Sequence, residues 1–423
     1  MRRSRDVRLL AGAPIAAGFV LYALSSGCER VSYYSISGGD PSGPGAPTTT
    51  TTGPGAGPGT EVTRAQVLAA VGACAAPLYQ SVATAVAEFD TATRAAVGGD
   101  AEARTTAREA WTKTIGLWQQ AEVIRIGAAG PAALPHGQAL RDYMYSWPLT
   151  SRCLMEQTLT SKAYEAPTFA QTALINMRGL AAAEYLLFYE GSDNACNATA
   201  SINSAGTWAA LGAAEIAARK AAYAAVVTTD LTARSRQLAD SWAPDQGNFG
   251  AILGAAGTSG SPFASAQAAL NAVSDGMFYV EREVKDMKLG RPLGVWGECA
   301  STSCPEAVES RYALIAAEHV KNNLIGFRRL FAGCEESENI GFDDLLVSIG
   351  AGSLAERMTA DVDGAIATAE AMSNPDLVEG LSTRRSEVEA LHASVKRITD
   401  ALKTEFVSVL DLELPQVVEG DND

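Results

Sequence analysis

Long alanine-rich stretches with apolar residues three and four positions apart recur along most of this chain, and they leave few choices of fold. They fall at 63–89, 100–126, 168–189, 207–240, 262–288, 307–332, 353–371 and 377–410, with most of the Pro and Gly residues between them. Alanine favours the helical backbone more than any other residue, and a three-to-four spacing gathers apolar side chains on one helical face. No alternating run bounded by turn residues argues for a strand. The spacing therefore predicts an all-α protein. A Gly- and Ser-rich gap at 244–262 separates two sets of about four helices each, which predicts two adjoining four-helix bundles at 63–250 and 251–412. With 47% hydrophobic and 19% charged residues in a chain of 423, there is material for a sizeable core. The apolar segment 207–227 does not read as a membrane span, because Glu215, Arg219 and Lys220 interrupt it.

The beginning of the chain reads as an address. Arg2, Arg3, Arg5 and Arg8 precede a short apolar run, and Ser25-Ser26-Gly27-Cys28 closes it. The run is short for a bilayer span, and Pro14 interrupts it. A basic start, a brief apolar core and small residues before a Cys resemble a bacterial lipoprotein signal peptide over 1–27. That resemblance implies lipidation of Cys28 and a membrane as partner. Glu29 after the Cys favours the outer membrane. Residues 28–62 then form a Gly-, Pro- and Thr-rich linker with almost nothing that could enter a core, a disordered tether between anchor and body.

Charge and cysteine content narrow the partners. The net charge is −15, from 33 Lys and Arg against 48 Asp and Glu, which repels a phosphate backbone and argues against nucleic acid. Residues 1–27 hold four Arg and one Asp, so the acidity belongs wholly to the rest of the chain. Cys74, Cys153, Cys196, Cys299, Cys304 and Cys334 remain besides Cys28, an even set that fits disulfides in an oxidising compartment. Cys299 and Cys304 are close enough to close a small loop. Cys153 and Cys196 flank the 168–189 segment and could staple its connections.

Four segments carry a resemblance. They are Ala107 to Gly127, with Trp111, Trp118, Glu122 and Arg125; Asp142 to Leu149; Met177 to Phe188, with Gly179 and Glu184; and Lys288 to Gly294, continued by Glu309-Ser310-Arg311-Tyr312 and Asn323. In this order they resemble the imelysin-like family of bacterial envelope proteins, over most of residues 63–410. The resemblance implies a pair of helical bundles and offers three functions. One is a binding protein linked to iron or other metal acquisition, one a metallopeptidase, and one a non-catalytic module that binds an envelope partner.

The residues weigh these readings. Trp111, Trp118, Glu122 and Arg125 lie seven, four and three apart, hence on one helical stripe. That predicts either a partly buried structural pair of Glu122 and Arg125 under the tryptophans, or a cleft lined by Trp118 and Arg125 in which Glu122 is a candidate ligand. The family's G-x-H-x-x-E motif falls on Gly179-Leu-Ala181-Ala-Ala-Glu184, where the Gly and Glu match and Ala181 stands in place of His. A methyl group neither coordinates a metal nor moves a proton, so the sequence argues against hydrolysis. Glu184 stays as a candidate metal ligand, and His136, in the loop LPHGQ, is the His chosen to join it. Glu309, Ser310 and Arg311 are expected around the same cleft. His319 and His392 read as satisfied-core or solvated histidines. The cofactor expected is a divalent metal or iron, or none.

Overall fold

The computed structural model describes residues 61–295, 299, 301–416 and 418. The signal segment, Cys28 and the linker up to residue 60 lie outside the described residues. The described residues all belong to one unit, and among them there is no strand. Among the described residues nine α-helices reach ten residues or more: α1 Arg64–Ala95, α2 Ala101–Ala121, α3 Arg152–Ser161, α4 Gly179–Phe188, α5 Gly212–Trp242, α6 Ala266–Met277, α7 Ala316–Phe331, α8 Gly352–Glu370 and α9 Arg385–Ala401. The fold is all-α, as the spacing predicts.

Local chemistry sets the starts. Thr63 caps α1, with Gln66 reaching back to the Thr63 N–H to complete a capping box. Asp100 caps α2 by accepting from Ala103 N at 2.8 Å, and Ser265 caps α6 by accepting from Ala268 N at 3.0 Å. α1 packs on α2 and α5, and α5 packs on α4, which forms the first bundle. Beyond α6, a π-helical stretch Val280–Gly290 packs against α7 and α9, while α8 lies on α7 and α9, forming the second. α1 is long and apolar enough to cross a bilayer, but its apolar face is spent on this core, from Val67 to Phe89.

The two sets meet along α2 and α7. Gly326 of α7 sits against α2 so closely that a Cβ there would lie 2.2 Å from Gln120 O. Only glycine permits that approach of two backbones. A disulfide, Cys74–Cys334, ties α1 to the turn after α7. Cys153–Cys196 and Cys299–Cys304 are also bonded, so all six cysteines among the described residues are paired.

Several segments differ from the periodicity, three of them around the interior polar residues. The 168–189 stretch is broken, because Arg178 is extended (φ −139°, ψ −173°) and Gly179 is left-handed (φ +76°), so the helix carrying Glu184 starts only at 179. The 100–126 stretch ends at Ala121. The 307–332 stretch becomes helical only at Ala316, because Ser310 (φ +45°) and Leu314 (φ +61°) adopt left-handed backbone that no α-helix accommodates.

Candidate functional site

The polar residues of the interior gather where α2 ends. Trp118, Gln119, Glu122, Tyr145, Tyr279, Lys288, Glu309, Ser310, His319 and Asn323 are each 2% exposed or less. They come from the end of α2, the segment after the short helix Leu140–Met144, the π-helical stretch and its approach, the 309–314 loop and α7. The cleft expected between the bundles is therefore a closed, buried seam.

Lys288 is its centre. Its Nζ donates to Gln119 Oε1 and Asn323 Oδ1 at 2.7 Å each. The same atom lies 3.3 Å from Glu122 Oε1 and 3.1 Å from Glu309 Oε1. Glu122 also accepts from Trp118 Nε1 at 3.1 Å and from the Tyr279 hydroxyl, and Arg141 Nη2 stands 3.7 Å from its other oxygen. Glu309 accepts from the Tyr145 hydroxyl at 2.7 Å and from Gln119 Nε2 at 3.1 Å. His319 Nδ1 lies 3.3 Å from Glu309 Oε2 and 3.4 Å from Ser310 Oγ. Isolated buried charges are costly, and this network holds its two carboxylates with an ammonium and a guanidinium.

Glu184 joins the seam from the other side. Gly179 lets α4 begin hard against the preceding backbone, since a Cβ there would meet Met144 O at 2.8 Å. One turn on, Glu184 Oε1 accepts from Tyr312 N at 2.9 Å and Ala313 N at 3.1 Å. The 309–314 loop thus presents the Glu309 side chain to Lys288 and its own N–H groups to Glu184. Burial pushes the Glu184 carboxyl up to about 7, against the pull of those two backbone donors. Burial also works to raise Glu309, but Lys288 and then His319 outweigh it and hold that carboxyl at about 2.

These opposite shifts give a pH dependence. A glutamate in the unfolded chain ionises near 4.5, before the folded Glu184 does, so this residue makes stability fall as pH rises from about 4.5 to about 7. Glu309 acts in the reverse sense: its contribution is full above about 4.5 and is lost as pH falls toward about 2. Glu184→Gln is therefore expected to remove a decline of up to about 3 kcal/mol between pH 4.5 and 7. Urea unfolding at stepped pH checks this, and an unaltered slope in the variant contradicts it.

The structure brings together Trp118, Glu122, Gly179, Glu184, Glu309 and Ser310. It does not bring Arg125, whose helix has ended four residues earlier; that guanidinium turns to Glu283, 3.1 Å away. Arg311 points outward, donating to Glu306 O at 3.3 Å. His136 is exposed; its ring lies 5.6 Å from that of Phe249, and it shares a cavity with Gln138, Gln237 and Asp240, none of them part of the seam. The histidine that does enter is His319, together with Gln119, Asn323, Tyr145, Tyr279, Lys288 and Arg141, to which the sequence reading assigned no role. One signal was available: His319 and Asn323 lie four apart on an amphipathic helix, on the face that becomes buried.

The donor set does not fit a metal centre. The place between Glu122 and Glu309 is taken by the Lys288 ammonium, which repels a cation, and Arg141 adds a second positive charge. Among the described residues of the seam, Glu309 Oε2, His319 Nε2 and Arg141 Nε are left without a hydrogen-bond partner, and the last is a donor, which cannot ligate a cation. Among the described residues no group of three or more His, Cys, Asp or Glu side chains is placed to hold one ion.

A family model described as Imelysin, of peptidase family M75, matches residues 75–404. The chain belongs to the imelysin family. Among the solved structures that share this fold are two. One is an iron-regulated protein A precursor from Parabacteroides distasonis ATCC 8503, 18% identical, with a TM-score of 0.63 over 83% of this chain and 96% of that one. The other is an imelysin-like protein from Psychrobacter arcticum 273-4, 13% identical, with a TM-score of 0.58 over 83% of this chain and 98% of that one. Among curated proteins none matches.

Proposed function

We propose that this chain is an imelysin-family lipoprotein of the bacterial envelope that serves iron or other metal supply by binding, and not by peptide hydrolysis. The observation that carries the reading is the buried Lys288, 3.3 Å from Glu122 and 3.1 Å from Glu309. A metallopeptidase needs an ion on about three protein ligands to polarise its water. Here an ammonium stands between two of the acids, and Ala181 replaces the motif His. The link to metal supply is supported by the iron-regulated protein A precursor that shares the fold. Anchorage is supported by the basic start, the apolar run and Ser-Ser-Gly before Cys28. The three disulfides accord with life outside the cytoplasm. The cargo is then an envelope partner or a metal already held in a complex, rather than a bare ion in the seam.

Deletion in the native host is the test. Growth is expected to slow under iron limitation and not in replete medium, with rescue by the full chain. Cys28→Ala should lose fatty-acid label and fail to rescue. Equal growth of deletion and parent under limitation contradicts the link to metal supply, and label retained by Cys28→Ala contradicts the anchor.

A further inference from the structure

Away from the seam, the first bundle carries a half-open cavity of about 370 Å³, within the range of small-molecule sites. α1 contributes Thr93 to it, α2 contributes Arg104 and Arg108, α4 contributes Leu186, and α5 contributes Ile216 and Lys220. In a chain of net charge −15, a recess with three cations and one acid, Glu190, is locally inverted in sign. We propose that this cavity binds a small organic carboxylate with an apolar body, its carboxylate held by Arg104 and Arg108 and its hydrocarbon lying against Leu186 and Ile216.

The cations are already set for an anion. Arg108 Nε donates to Leu187 O at 2.9 Å, which fixes the guanidinium plane, and Nη2 donates to Glu190 Oε1 at 2.7 Å. Glu190 is 70% exposed, so the chain's own carboxylate occupies a position that a ligand carboxylate can take in its place. Arg108 and then Arg104 hold the Glu190 carboxyl below its ordinary range, which shows that both fields reach that position. The Arg104 guanidinium makes no hydrogen bond or ion pair among the described residues, the backbone N–H alone donating, to Asp100 O at 3.1 Å. Lys220 is buried, and its ammonium is pinned by Tyr189 O at 2.8 Å and Gly191 O at 3.1 Å, a fixed positive charge behind the cavity.

A second, independent observation points to a ligand. Thr93 is 1% exposed and lines the cavity, yet its Oγ1 has no hydrogen-bond partner. A buried hydroxyl left unpaired is unfavourable, and a ligand oxygen at this wall would satisfy it. The walls decide the class of anion. Leu186, Ile216 and the alanines of α5, including Ala217, offer no partners for the further oxygens of a phosphate or a polycarboxylate.

Isothermal titration of the full chain with sodium octanoate tests this, with citrate and inorganic phosphate as comparators. Octanoate is expected to bind, and citrate and phosphate to bind roughly tenfold more weakly or not at all. Arg104→Gln should weaken octanoate roughly tenfold. Ala217→Trp, at an exposed position on the cavity wall, should abolish binding with the melting temperature retained. The proposal is overturned if wild type shows no octanoate binding, if the folded Ala217→Trp variant binds as well as wild type, or if citrate or phosphate matches octanoate.

Discussion

Lys288→Met is expected to destabilise the protein by about 3–5 kcal/mol, because breaking a buried ion network leaves its partners uncompensated. For a domain of this size that lowers the melting temperature by roughly 5 °C. The methylene stem is nearly conserved, so the effect belongs to the charge. Without the ammonium, Glu122 retains Arg141 at 3.7 Å, and Glu309 retains His319 at 3.3 Å. Gln119 Oε1 and Asn323 Oδ1 each lose a charged donor at 2.7 Å. Adding Glu309→Gln to Lys288→Met should restore part of the loss, since the second change removes one of the stranded charges. Chemical unfolding of the two variants checks both statements. A loss below about 1 kcal/mol in the single variant contradicts the role assigned to Lys288.

Removing Cys74–Cys334 by paired alanine substitutions is expected to cost about 2–5 kcal/mol. The bridge closes a sequence separation of 260 and joins α1 of the first bundle to the end of α7 in the second. Cross-links constrain the unfolded chain more as the closed loop lengthens. The expected order of losses is therefore Cys74–Cys334, then Cys153–Cys196 with a separation of 43, then Cys299–Cys304 with a separation of 5. Urea midpoints of the three paired variants measure the order. A Cys299–Cys304 variant as unstable as the Cys74–Cys334 variant contradicts it.

The legible parts of the fold were those encoded by local periodicity. Helix identity followed from alanine and three-to-four spacing, Cys299–Cys304 from proximity in sequence, and Cys153–Cys196 from the way the pair flanks the 168–189 segment. Cys74–Cys334 was not legible, because nothing local links residues 260 apart. Helix ends were lost where tertiary contact overrides propensity: Gly179 turns left-handed to start α4 against Met144 O, and α2 stops at Ala121. The second of these misdirected Arg125, whose place on the Trp118–Glu122 stripe assumed a helix running on to residue 126. The site shows the same division. Trp118, Glu122, Glu184 and Glu309 were named from motif and spacing, and they share the seam. His319 was passed over in favour of His136 because a lone histidine carries no signal of burial. Whether it is buried depends on α7 facing α2, which no stretch of sequence states by itself.

The central claim is that the chain's own lysine closes the seam against a metal ion. Equilibrium metal content and thermal melting of the purified chain, with iron, zinc or calcium added in turn and then chelated, test it most directly. The account predicts no stoichiometric uptake by the seam and a melting temperature that neither metal nor chelator moves. Uptake of one ion per chain that raises the melting temperature and is lost in Glu122→Gln would contradict it.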